Sequence, residues 1–213
     1  MASVSDKNVK IFGYSRTEEE SAYEWIRKAK EQSSRMYHIC LSGYCIPESE
    51  EWIEEMLMYA QRPDVGVVSA NIWNNKDQSY FAGGVLDQDS LTGIHVINKE
   101  MDKADQGYEA NMRHVRNTTT ASGICMMVPE RTFEKIGDFS AEMQDCADID
   151  LCLRSREKGL WNVWTCFADV VYAGDHTAED YWKQCDSFKK KWKETIEAGD
   201  EFYHPLLKAL KKI

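Results

Sequence analysis

The run VGVVSANIW at residues 65–73 is apolar almost throughout, the pattern of a strand covered on both faces rather than one alternating between core and water. Just before it, Ile53, Met56, Leu57 and Ala60 recur at helical spacing, and Pro63 closes that helix. A strand buried on both faces needs helices above and below it. The chain supplies them, because predicted strands at 9–14 (VKIFGY), 36–41 (MYHICL), 65–73 and 121–128 (ASGICMMV), then NVWT and DVVY, are interleaved with helical patterns. That order predicts an α/β layer structure rather than a bundle or a sandwich.

The helices carry their own punctuation. Thr17 and Glu20 form a capping-box pattern ahead of Ala22, Trp25, Ile26 and Ala29 on one face. A short helix from Pro129 stops at Gly137, with glycine expected in a left-handed cap. In DCADIDLCLRSREKG, residues 145–159, Ile149, Cys152 and Leu153 mark a buried face and Gly159 ends the helix. A long helix with Trp182, Cys185, Phe188 and Trp192 precedes a basic amphipathic tail, expected to pack back onto the domain rather than onto a membrane. Between Asn74 and Asn117 the periodicity fades and glycines break the chain, so loops and short strands are expected there, with room for a substrate lip.

At 213 residues and 43% hydrophobic content, the chain has material for one buried core. The expected organisation is a single domain over 1–213, with residues 175–213 as a C-terminal helical extension. A net charge of -10 argues against a nucleic-acid partner, which would demand clustered cations in place of phosphate counterions. The start, MASVSDKNVK, lacks the apolar stretch of a secretory signal, and a cytoplasmic location is expected. Seven cysteines, an odd number without a C-x-x-C pair, predict reduced and mostly buried thiols.

The landmarks PESEEWIEEML, RPDVGVVSANIW, FAGGVL, RNTTTASGICMMVPERTFEKIGDFS, DIDLCLRSREKGLWNVWT and GDEFYHPLL occur in this order from about residue 36 onward. Together they resemble the family 2 glycosyltransferases of the GT-A fold, in particular the rhamnosyltransferase-like branch. The resemblance implies a Rossmann-like mixed sheet flanked by helices, N-terminally truncated relative to the family. VKIFGY is similar to the family's third strand, so the resemblance implies that the elements that grip the nucleotide base are not expected within this stretch of sequence. In such enzymes the strand before the Pro-Trp helix ends in aspartates that hold a divalent cation on the nucleotide-sugar diphosphate. The matching residues here are Ser42, Gly43, Tyr44 and Cys45, and none of them substitutes for a carboxylate toward magnesium or manganese. The frame around them is expected to persist because Leu41, Pro47, Trp52 and Ile53 serve the core.

By the same resemblance Asp148 matches the carboxylate that takes the proton of an attacking hydroxyl in inverting transfer, a general base. Its competing role is structural: Asp148 caps the helix and Asp150 complements the helix dipole. Asp150, Trp161, Asp175 and His176 are the candidate substrate contacts. No metal site and no cofactor are expected, with manganese or magnesium entering only if the chain is active. Two function classes stay open. One is a degenerate or auxiliary glycosyltransferase-like subunit in glycan or glycoprotein synthesis. The other is an active inverting transferase moving sugar from a nucleotide donor to a glycan or protein acceptor, its donor site completed by a partner or by further sequence. Expected partners are a second copy, as a twofold dimer, or a competent glycosyltransferase.

Overall fold

The computed structural model describes residues 36–175 and 186–204. The VKIFGY strand, the helix after Thr17, His176, Trp182, Cys185 and the basic tail lie outside the described residues. The first strands are β1 (Tyr37–Leu41) and β2 (Cys45–Pro47), followed by helix α1 (Trp52–Ala60) and strand β3 (Val65–Asn74). Short strands β4 (Ser79–Phe81), β5 (Gly84–Leu86), β6 (Ile94–Val96) and β7 (Arg116–Thr118) fill the glycine-broken region. Then come β8 (Cys125–Pro129), α2 (Glu130–Ile136), α3 (Ala147–Glu157), β9 (Trp161–Tyr172), α4 (Asp186–Lys191) and α5 (Lys193–Ala198).

Among the described residues, seven strands form one sheet in the order β1-β8-β3-β9-β2, with β4 beside β3 and β7 beside β9, while β5 and β6 form a separate pair. The fold is mixed α/β with helices flanking the sheet. Most pairings are antiparallel; β3 and β9 run parallel. Alternating strands and helices in sequence do not force a parallel sheet here, because β8 inserts between β1 and β3 in the opposite direction.

The continuous apolar run becomes β3, which occupies the centre and is buried over all but its last residue. NVWT and DVVY are not two strands. They are one 12-residue strand, β9, with an irregularity between them: β3 advances from Ser69 to Asn71 while β9 advances from Trp164 to Asp169. The extra residues loop out as a bulge, and Phe167 on it is 52% exposed. On either side of the bulge β9 changes its outer neighbour, from β7 at Asn162–Trp164 to β2 at Val170–Tyr172.

The core joins Met56 of α1, Val68 and Ile72 of β3, Met126 and Met127 of β8, and Ile149 and Leu151 of α3. Each such side chain contributes roughly 1.5–3 kcal/mol by leaving water. Helix α3 lies so near β3 that a Cβ on Gly66 would meet Ser155 Oγ at 2.0 Å. Asn162 ties the two layers further, donating from Nδ2 to the carbonyls of Thr119 at 2.8 Å and Cys152 at 3.0 Å.

Helix boundaries follow the predicted punctuation with two differences. Pro129 is the cap of α2 and the last residue of β8 rather than the first helical residue. Gly137 ends α2 at φ 81, but a ψ of 176 sends the chain out extended instead of into the left-handed helical basin. The thiol expectation also needs correction. Cys40, Cys45, Cys125, Cys152 and Cys166 are free, but Cys146 is disulfide-bonded. An odd total weighs against a disulfide framework without forbidding a single bond. Among the described residues no helix is long and apolar enough to cross a membrane.

Candidate functional site

The turn Ser42–Cys45 is held by backbone. Ser42 N donates to Ile124 O at 2.8 Å, Cys45 N to Ser42 O at 2.9 Å, and Ala173 N to Tyr44 O at 2.9 Å. Its side chains add to that frame: Ser42 Oγ accepts Tyr44 N at 3.3 Å, Cys45 Sγ donates to Ile124 O at 3.6 Å, and Tyr44, 65% exposed, sets an edge on the Tyr172 ring. No carboxylate stands in this turn, and among the described residues no group of three or more His, Cys, Asp or Glu side chains is placed to hold a metal ion. A hard cation finds no fitting donor set at 42–45. Trp52 serves the core at 6% exposure, as expected, whereas Leu41 is 42% exposed and does not. Leu41 ends β1, and the strand's last residue faces out.

Asp148 is buried close to this turn, linked to it through the chain segment 122–124. Its Oδ2 accepts Gly123 N at 2.8 Å and its Oδ1 accepts Ile149 N at 2.8 Å. The capping role is realised in a different form from the expected one. The cap position belongs to Cys146, which makes no side-chain cap bond, and Asp148 satisfies a first-turn N–H from inside the helix. It also pins the turn before β8 to α3.

Asp150 is fully buried and saturated. Oδ2 pairs with Arg154 Nε at 2.7 Å, and Oδ1 takes Lys191 Nζ at 2.6 Å and Trp192 Nε1 at 2.9 Å. Arg154 in turn donates to the carbonyls of Ile136 at 2.6 Å and Asp138 at 2.8 Å. One carboxylate thereby joins α3, the end of α2 and the α4 region.

The remaining candidates are not gathered around one point. Trp161 opens β9, is 38% exposed, and lies 6.1 Å from the Phe202 ring. Asp175 is exposed in the bend beyond the other end of β9. The β3 partners of the two ends of β9, Val65 and Asn74, stand ten residues of strand apart, on the order of 30 Å at about 3.3 Å per residue. His176 lies outside the described residues. A cleft of about 260 Å³ between α3 and α5 is lined in part by Leu153, Arg156, Trp192 and Asp200. None of the described sequence candidates lines it.

A further polar centre stands on the β3–β9 face. Asp169 Oδ1 accepts both Asn71 Nδ2 at 2.8 Å and Trp73 Nε1 at 2.8 Å. Burial is the main cause raising its carboxyl above the ordinary range, opposed by those two hydrogen bonds. Lys103 sits nearby, paired with Glu48 at 2.5 Å and 5.3 Å from the Trp73 ring. On the same face Arg116 stacks 3.9 Å over Trp164, and burial pulls its guanidinium down to about 10. The sequence did hold a signal for this centre: Asn71 and Asp169 are polar residues inside otherwise apolar strand runs, where a group needs a partner or a purpose.

No protein-family model matches the chain. An uncharacterized protein, y4gI, of Sinorhizobium fredii is 28% identical over 168 residues, 74% of this chain and 18% of that protein. An O-antigen biosynthesis protein, RfbC, of Myxococcus xanthus is 26% identical over 164 residues, 73% of this chain and 12% of that protein. This chain therefore spans less than a fifth of the length of either relative and is similar to a segment of each.

Proposed function

We propose that the chain is a GT-A-like glycosyltransferase domain that serves glycan synthesis as an auxiliary, non-catalytic unit. The similarity to a protein named for O-antigen biosynthesis supports the glycan part. The non-catalytic part rests on one observation: Asp148, the residue matched to the general base, is 3% exposed with both oxygens on backbone N–H groups. A carboxylate so enclosed has little access to an incoming hydroxyl, and a general base must stand within hydrogen-bond reach of the proton it takes. The turn at Ser42–Cys45 agrees, having no ligand for the cation that a nucleotide-sugar diphosphate would bring.

A second reading is favoured by position. Asp148 lies beside that turn through Gly123 and Ile124, as an acceptor-side base would lie beside a donor site. On this reading the chain is an inverting transferase, with manganese or magnesium arriving with the donor and the site completed by a partner or by further sequence.

Calorimetry with UDP-, GDP- and dTDP-sugars, with and without manganese, separates the two. The auxiliary reading expects no saturable heat. Saturable donor binding together with sugar transfer that Asp148→Asn abolishes, at an unchanged unfolding midpoint, establishes the second. Loss of the chain in its native host is expected to alter the surface glycan profile, and an unchanged profile counts against both.

A further inference from the structure

We propose that β1 is the contact strand of a homodimer, pairing antiparallel with β1 of a second copy across a twofold axis at Ile39. The order of the sheet ends in β1 on one side and β2 on the other, and only one of these strands is closed to further pairing.

Strand β2 is the closed one. Tyr44 O accepts Ala173 N and Asp169 O accepts Glu48 N, each at 2.9 Å, so in this register Cys45 and Pro47 turn their backbone away from β9. Cys45 N is taken by Ser42 O at 2.9 Å, and Pro47 has no N–H. No donor is left along that strand, which keeps it from recruiting another chain.

Strand β1 has no such device. Met36 O accepts Glu130 N and Ile124 O accepts Ser42 N, each at 2.8 Å, so His38 and Cys40 face β8 while Tyr37, Ile39 and Leu41 turn N–H and C=O outward. Among the described residues nothing bonds to those outward groups. The strand reads YHICL, without Lys, Asp, Glu, Pro or Gly, and exposed apolar side chains stand at its ends, Met36 at 72% and Leu41 at 42%.

Symmetry and charge select the occupant. The outward residues are centred on Ile39, so a copy laid antiparallel with Ile39 opposite Ile39 sets Tyr37 against Leu41 and gives each outward N–H an outward C=O. The edge is thus complementary to itself, the condition for a closed twofold contact. Tyr37, Ile39 and Leu41 share one face, and the same register puts the exposed Leu41 of each copy beside Tyr37 of the other as a cross-strand pair. Two copies of net charge -10 repel at large, but the contact strand carries no carboxylate, so no like charges meet along it. Glu130, the acid beside it, is paired with His38 at 2.5 Å. A contact strand of five residues falls far short of the about 20–30 residues a side of a standard interface, which makes the dimer weak and concentration-dependent.

Hydrogen exchange tests the edge without any substitution. The amides of Tyr37, Ile39 and Leu41 are expected to exchange freely at low micromolar concentration and several-fold more slowly at high micromolar concentration, with His38 and Cys40 protected at both. Sedimentation velocity over the same range should show a monomer passing into a dimer. Ile39→Pro removes an N–H that makes no bond inside the sheet, so it keeps the β1–β8 ladder and is expected to weaken dimerisation by about tenfold or more through the bonds lost at the axis. Protection of Tyr37, Ile39 and Leu41 that does not depend on concentration means that the chain's own residues cover this edge, and overturns the second copy. Free exchange at every concentration, or a strict monomer throughout, overturns the contact. A dimer that Ile39→Pro leaves equally strong, with the fold of the variant confirmed by its unfolding midpoint, lies on another surface and overturns it too. None of these readouts involves a nucleotide sugar, so the functional reading and this contact fail independently.

Discussion

Asp150 Oδ1 accepts the Trp192 indole N–H at 2.9 Å across 42 residues of sequence. The same oxygen takes Lys191 Nζ, and Arg154 Nε occupies the other. This acid lies at the start of α3 and could pass for a dipole-complementing residue, but its partners make it the joint between three helices.

Removing it strands two cations near a dry interface. Asp150→Ala is expected to destabilise the chain by about 3–5 kcal/mol, toward the lower end because Lys191 is 38% exposed and can turn to water. Urea unfolding measures this directly, and a loss below about 0.5 kcal/mol, the level of an ordinary surface change, would remove Asp150 from the role of joint.

Asp148→Ala leaves Gly123 N–H and Ile149 N–H without their acceptor. The expected loss is about 1–3 kcal/mol, with Asp148→Asn closer to the parent because an amide oxygen still accepts one of them. Hydrogen exchange at Gly123 should quicken in the alanine variant. Unchanged protection at that amide would show that the bond carries no stability.

Asp169 gives a pH signature. Burial raises its carboxyl above 3.8 in the folded chain, so between the unfolded value and the raised one the folded state keeps a proton that the unfolded state has released. Folding stability from this group therefore falls as pH rises through that window. Asp169→Asn removes the slope. Its stability relative to the parent is expected to improve as pH climbs from about 4, measured as unfolding midpoints at a series of pH values. A constant difference across the series would contradict the burial-driven shift.

The extent to which the sequence revealed this molecule depends on whether a feature is local. The buried strand at 65–73, the helix closed by Pro63 and the helix ended by Gly159 each follow from spacing and breakers that neighbouring residues settle among themselves, and the observed β3, α1 and α3 match them. The direction and position of β8 are set by which edge accepts it, a contest between distant segments, so local patterns are silent on it. For the same reason β9 read as two strands: Thr165–Ala168 breaks the alternation, and only pairing with β3 on both sides of the bulge makes the halves one strand. At the candidate site, Asp148 and Asp150 were legible as acids at a helix start, but not which of them would be saturated by cations. Asp169 was passed over because a lone acid in an apolar run looks like a solvent-facing residue until Asn71 and Trp73 are seen beside it.

The cysteines divide by burial. In the native chain Cys40 and Cys125 are expected to resist alkylation, since burial pushes the Cys40 thiol up to about 12 and raises Cys125 as well. Both should react on unfolding in urea. Cys146 should stay silent in urea and react only after a reductant is added, as its disulfide requires. Labelling of Cys146 in urea without reductant would show that the bond is absent.

The pairing of β3 with β9 also sets the pace at which the chain can become itself. Asn71 and Asp169 are 98 residues apart in sequence, so the central pair of the sheet cannot close until most of the described chain has been made. Loop closure over that span has to precede any reward from the pairing. During synthesis β3 must wait, its apolar run unmatched on one edge, for a partner that emerges last among the sheet strands. Refolding is thus expected to be slow for a domain of this size, because β1 and β3 both stay open at an edge until β8 and β9 have emerged.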